Sequence, residues 1–292
     1  MNEYKFTNAY RASDRVSQYL IRRVIYEGDQ KPEQVLFRIL LFKLFNKIET
    51  WELLKSQTGD IRLTDKAFSA YERVLSRAQD SGRTLYSGAY IMPPGSGIYS
   101  AERKHQAHLK LLHHLTRGRV VNAILNSKNM NDLFSVLRDQ PLIGDFLAYQ
   151  FGTDINYSAV TDFSEMDFTV PGPGAKSGIK KCFDSLGDFT EADLIRHVTD
   201  SQEDSFRALG IQFRNLWGRS LQLIDCQNLF CEVDKYTRVF LPHLAGKGGR
   251  TRIKQRFRPS ARPLEYSYPP KWKLRIKKTA APMQGDLWNP AI

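Results

Sequence analysis

"VPGPGAKSGIKKCF" spans Val170 to Phe183 and poses the question on which the fold reading turns. Pro171 and two glycines, Gly172 and Gly174, precede a helical pattern that carries Lys176 and Ser177. A proline-glycine turn feeding a helix aims backbone N–H groups outward at the positive helix end. The stretch reads either as a plain helix start or as an anion cradle made by Gly172, Gly174, Ala175 and Ser177. The spacing is neither that of a Walker loop nor of a dinucleotide fingerprint.

Working outward, the flanking sequence is helical in pattern. "EQVLFRILLFKLFNKIETWELL" is apolar nearly all round, as in a helix buried on every side. Thr64 and Thr190 stand as caps before amphipathic runs. Residues 83–99 break the pattern with prolines and glycines, periodicity returns over 100–125 and 129–151, and 213–241 reads as one or two helices. Period-two alternation is scarce. The expectation is an all-α fold in two parts: a helical domain over 1–245 and a basic, partly extended tail over 246–292.

The charge pattern separates those parts. Of a net +12, residues from Lys247 onward contribute +10, with twelve Lys/Arg against Glu265 and Asp286. Phe257, Tyr266, Tyr268 and Trp272 are interleaved with those cations, and prolines prevent one long helix. Such a tract suits phosphate backbones and exposed bases. No apolar run is long enough to span a bilayer, which speaks against a membrane partner. The three cysteines form no metal-spaced pair, and His105 and His108, three apart, have no matched carboxylate or cysteine, so no metal site is expected, and a reduced, intracellular setting fits.

Other polar residues fall into patterns. Arg11, Asp14, Arg15 and Gln18 are spaced three and four apart, which makes one helical face for phosphate or base contacts or for solvent. Asn156 and Tyr157 close a helix as a cap or a base-pocket wall. Gln227 and Asn228, which with Gln18, Asn156 and Tyr157 are the base-pocket candidates, precede Asp234 and Arg238 on one expected helix, where Arg238 is a candidate phosphate or DNA contact.

Two motifs together carry a resemblance. Val170 to Ser177, and Val233-Asp234-Lys235-Tyr236-Thr237-Arg238-Val239, resemble the paired motifs of the helix-hairpin-helix DNA glycosylase superfamily. Tyr236 stands where that superfamily has histidine, and the gap between the motifs is longer. The resemblance puts a helix-hairpin-helix at about 160–183. It also puts Lys176 at the Schiff-base lysine of bifunctional members and Asp234 at the catalytic aspartate.

"FTNAYRASDRVSQYLIRRVI", "IMPPGSG", "FLAYQFGTDINYS", "DFTVPGPGAKSGIKKCF" and "CQNLFCEVDKYTRV" are more closely similar to the helical domain found with 5-hydroxymethyluracil DNA kinases. The same domain occurs in the α-glutamyl/putrescinyl-thymine pyrophosphorylases, the amino acid:DNA transferases. This resemblance implies thymidine hypermodification, chiefly in phage DNA. An amine or amino acid would be transferred onto 5-pyrophosphoryloxymethyluracil with release of pyrophosphate, whose charge Lys176 would stabilise while Asp234 takes the amine's proton. The implied partners are double-stranded DNA with a flipped base and a separate 5-hydroxymethyluracil DNA kinase. The implied setting is the cytoplasm of an infected or bacterial cell, or the nucleus of a eukaryote. No further cofactor is implied. A glycosylase or lyase acting on a modified pyrimidine, and a non-catalytic DNA-binding partner of the kinase, are the alternatives. Asp234, expected near the start of a helix among apolar neighbours, would have its carboxyl raised toward a useful base; its other reading is a helix cap.

Overall fold

The structure, a computed structural model, describes residues 3–88, 92–245, 253, 256–257 and 264–276. Among these the fold is helical, with isolated bridges Tyr4–Arg256 and Leu216–Arg219 in place of any sheet.

The chain enters through a 3-10 turn, Arg11–Ser13, and helix α1, Arg15–Tyr19, which widens into a π-helical stretch, Leu20–Ile25. Helix α2, Pro32–Phe45, follows with proline at its first position. Every residue from Val35 to Phe45 is buried, because the π-helical stretch and three later helices pack around α2. Those are α3, Ile48–Thr58, α6, Lys104–Leu115, and α9, Asp145–Ile155. Helix α4, Asp65–Asp80, begins at Thr64, whose hydroxyl accepts from the Ala67 amide at 3.2 Å. The proline- and glycine-rich stretch is irregular where it is described and ends in the short α5, Ser96–Tyr99. The run 100–125 divides at Gly118 into α6 and α7, Gly118–Leu125. The run 129–151 divides into α8, Met130–Arg138, and α9.

The C-terminal half is built on α10, Pro173–Cys182, packed along α13, Leu223–Phe240. Helices α11, Glu191–Asp200, and α12, Gln202–Ala208, bridge them, with Thr190 and Asp193 forming a reciprocal cap. Residues 213–222 are not helical, so the expected run 213–241 contains one helix, α13, and the short α14, Pro242–Ala245, follows it. Residues 156–172 are also irregular. The helix ahead of the hairpin is therefore α9, ending at Ile155, and no helix lies within 160–172 as the hairpin motif had suggested.

Beyond 246, much of the basic tract lies outside the described residues. Residues 264–276, however, lie as a strap against the helices. The Ser267 amide donates to Gln18 Oε1 at 2.7 Å, and the Tyr268 hydroxyl pairs with Ser13 Oγ at 2.8 Å. Tyr266, Tyr268 and Trp272 stack on one another, with centroids 6.2 and 6.0 Å apart. Three of the tail's four interleaved aromatic rings thus pack on protein, where ring burial stabilises the strap.

Candidate functional site: two polar clusters joined by the α13 helix

The first cluster lies between α10 and α13. Ser177 and Lys181, four residues apart, share the face of α10 that meets α13; Asp234 and Arg238 share the answering face. The Asp234 carboxylate accepts from Ser177 Oγ at 2.6 Å, from Lys181 Nζ at 2.6 Å and from Arg238. Asp234 and the Lys181 side chain are shut off from solvent. Burial works to raise this carboxyl, but the hydrogen bonds from Lys181, Ser177 and Arg238 outweigh it and hold it below its ordinary value. The direction is opposite to the one expected from its apolar neighbours. Asp234 is also mid-helix, which overturns the cap reading.

The glycines of the hairpin serve helix packing. A Cβ at Gly172 would lie 2.9 Å from the Phe146 ring and 3.4 Å from Gln227 Nε2; one at Gly174 would lie 3.0 Å from Cys231 Sγ. Gly172 and Ala175 are buried under these contacts. The tightest approach is at Gly178, where a Cβ would fall 1.9 Å from the Phe230 carbonyl oxygen. Lys176 is exposed and makes no ion pair among the described residues. Gln227 is buried and bonds Cys231 Sγ at 3.3 Å, while Asn228 is half-buried beside it.

The second cluster gathers around the strap. Arg11 is 3 % exposed, so it is no surface phosphate contact. Its guanidinium pairs with Asp154 at 2.8 Å, and also bonds Gln150 and the Tyr157 hydroxyl. Lys43 closes the other side of Asp154 at 3.0 Å. Burial would raise Asp154, but the charges of Arg11 and Lys43 prevail and lower it. The Arg11 amide donates to Asp225 Oδ1 at 2.7 Å, which ties this cluster to the start of α13. Burial pushes Asp225 up to about 7 against the hydrogen bonds it accepts from Gln222 and Arg11. Glu165 is also raised by burial, although Arg219, bonded to it at 2.8 Å, opposes the shift. The Arg219 guanidinium carbon lies 3.9 Å from the centre of the Trp272 ring, whose other neighbours include the edge of Tyr157.

Of the residues expected at a base pocket, Gln18, Asn156 and Tyr157 meet here, all buried and all held by protein partners. Gln18 donates to the Ala12 carbonyl and accepts from Ser267; Asn156 bonds Thr161 and Phe163. Arg15 is half-buried near Tyr266. Asp14 is raised by burial to about 6. His105 and His108, three apart on α6, bond Ser76, Tyr86 and the Pro93 carbonyl. Among the described residues no group of three or more His, Cys, Asp or Glu is placed to hold a metal.

Lys181, Glu165, Arg219 and Lys271 escaped the sequence reading. Lys181 was legible, since it falls four residues after Ser177; the other three come from irregular segments with no periodicity.

The model of the "5-hmdU DNA kinase, helical domain" family matches residues 1–246 of this chain. The chain belongs to that family. It is also similar to a 5-hmdU DNA kinase of Bacillus phage SP10, 24 % identical over 282 residues. That match covers 88 % of this chain and 43 % of the relative, so the chain spans less than half of the relative's length. No solved structure matches it. Both polar clusters fall within the family match, but for Lys271 and Trp272, which come from the strap. Among the described residues no helix is long and apolar enough to cross a membrane.

Proposed function

We propose that the chain acts in thymidine hypermodification of DNA, transferring an amine or amino acid onto 5-pyrophosphoryloxymethyluracil and releasing pyrophosphate. What carries this reading is the family match over 1–246 together with a buried cluster of proton-accepting carboxyls beside cations. In the reaction the amine nitrogen forms a bond to the 5-methylene carbon as that carbon's bond to oxygen breaks. The electron pair leaves with pyrophosphate, and the nitrogen sheds a proton.

Two needs follow, a base for the proton and positive charge for the leaving group. Glu165, raised by burial, supplies the base, and its charge adds to the upward push on nearby Asp225. Arg219 and Arg15 provide charge for the pyrophosphate. A carboxylate held down by three donors is a poor base, so the proton is assigned to Glu165 and not to Asp234. Asp234 instead clamps α10 to α13 and fixes where the hairpin and Lys176 meet the DNA backbone. The substrate is duplex DNA with the target base turned out of the stack, and the basic tail adds sequence-independent affinity.

A second reading has an observation of its own. The SP10 relative is a kinase and the chain matches under half of it, which favours a helical DNA-holding partner for a 5-hydroxymethyluracil DNA kinase. One experiment separates the two. DNA carrying 5-pyrophosphoryloxymethyluracil is incubated with the protein and a mixture of amines, and its nucleosides are analysed by mass spectrometry. An amine-substituted thymidine supports transfer. DNA binding without any product sinks transfer and leaves the partner.

A further inference from the structure

The strap places a lysine where its charge needs explaining. Pro269 and Pro270 start a 3-10 turn, Pro270–Trp272, that lays Trp272 against Arg219 and turns Lys271 inward. The Lys271 ammonium donates to the Thr161 carbonyl at 2.6 Å, the Ser158 carbonyl at 3.2 Å and Asn156 Oδ1 at 3.4 Å. Asp162 Oδ1 lies 3.7 Å away. All four partners are oxygen acceptors, and a primary ammonium has three N–H donors to offer them.

This nest is built without the strap. Asn156 Nδ2 donates to the Phe163 carbonyl, while its Oδ1 accepts from the Phe163 amide and the Thr161 hydroxyl. Ser158 Oγ donates to the Ile155 carbonyl and accepts from the Val160 amide. The oxygens therefore stay in place if Lys271 leaves. The nest lies inside the family match, which ends at 246, whereas its occupant comes from residue 271. Lys271 is also desolvated enough to be lowered below the ordinary lysine value, so its ammonium is held at a cost. Glu165 is near enough for its charge to act on Lys271.

We propose that the oxygen nest of Asn156, Ser158, Thr161 and Asp162 is a binding site for a primary alkylammonium group, with Lys271 as the built-in occupant that such a ligand displaces. Resting on the transfer reading above, the ligand is the amine donor, delivered beside Glu165. A bound ammonium passes one proton to the Glu165 carboxylate and becomes the neutral nucleophile; Glu165 releases that proton to solvent before it takes the second, which the nitrogen sheds once it is bonded to carbon.

The test uses the full chain without DNA and 1,4-diaminobutane as the probe, followed by calorimetry. The diamine must displace Lys271 in the native chain, so Lys271→Ala is expected to bind at least about tenfold more tightly. Tetramethylammonium, which has the charge but no N–H, should not compete. Equal or weaker binding by a folded Lys271→Ala protein overturns the proposal, as does binding by neither protein or competition from tetramethylammonium. Should circular dichroism show Lys271→Ala unfolded, Lys271→Met keeps most of the side-chain length without the charge or an N–H donor and is expected to tighten binding in the same direction. Because binding is read without DNA, tight diamine binding with no modified nucleoside keeps the site and refutes only the transfer.

Discussion

Lys181 and Asp234 form an ion pair of 2.6 Å between α10 and α13, with neither side chain reaching solvent. Such a pair is weak evidence for net stability, but removing one partner strands a buried charge. Asp234→Asn is therefore expected to destabilise the fold by about 3 kcal/mol, because Lys181 and Arg238 lose their common anion. Since the Asp234 carboxyl is held below its ordinary value, its stabilisation is present at neutral pH. It is lost as pH falls through the lowered folded value. Thermal melts of native and variant protein check this; an unchanged midpoint would show that the clamp contributes nothing.

Gly178 gives the second prediction. Its missing Cβ makes room for the Phe230 carbonyl, and Gly178→Ala would drive atoms to 1.9 Å unless the helices part. Overpacking of this kind costs about 2 kcal/mol or more. Gly187→Ala is no control, since Gly187 has φ +57°. Gly97→Ala is better, as nothing lies near its Cβ and its φ is not positive. Urea titrations should show the loss at 178 and little change at 97.

The third concerns pH. Asp225 stands at about 7 when folded against 3.8 ordinarily, and Asp14 at about 6. Between those values the folded chain holds extra protons, so stability is greatest at the acid side and falls as pH rises through the window. Asp225→Asn removes the larger contribution, and the plot of stability against pH from about 5 to 7 should flatten. An unaltered slope would mean that Asp225 titrates normally.

How much of this was legible follows from the range of each interaction. The buried α2 helix, the Thr64 and Thr190 caps and the proline opening α10 are local, and each could be read from a few neighbouring residues. Gly178 could not be, because its meaning depends on Phe230, more than fifty positions away. Glu165 lies in "TDFSEMDF", an irregular loop in which no period marks the buried side. Lys271 was counted among the tail's cations for DNA, and its pairing with Thr161 spans 110 residues. The expectation for Asp234 failed for a related reason. Its apolar sequence neighbours were visible, but Lys181 and Ser177, which set its charge state, arrive from another helix.

Separable roles for Glu165 and Lys176 are the fourth prediction. Glu165→Gln can still accept from Arg219 but cannot take a proton, so the fold should hold while amine transfer falls on the order of 100-fold. Lys176→Ala should leave turnover at saturating DNA near the native value and weaken DNA binding. Steady-state assays that vary DNA at fixed amine distinguish a loss in kcat from a rise in KM. The reverse pattern would return catalysis to the hairpin.

The tail supplies the last prediction, and the strap dictates how it must be tested. Deleting 247–292 would remove Lys271 and Trp272 along with the basic tract, and would confuse DNA affinity with site integrity. Neutralising Lys247, Arg250, Arg252 and Lys254 to glutamine leaves residues 264–276 intact. If these four cations each neutralise a phosphate, the slope of log binding constant against log salt should become shallower by about 3 to 4. Diamine binding and the melting midpoint should stay where they are. An unchanged salt slope would show that the tract's charge does not face DNA, and the affinity would then have to come from the helical face around Lys176.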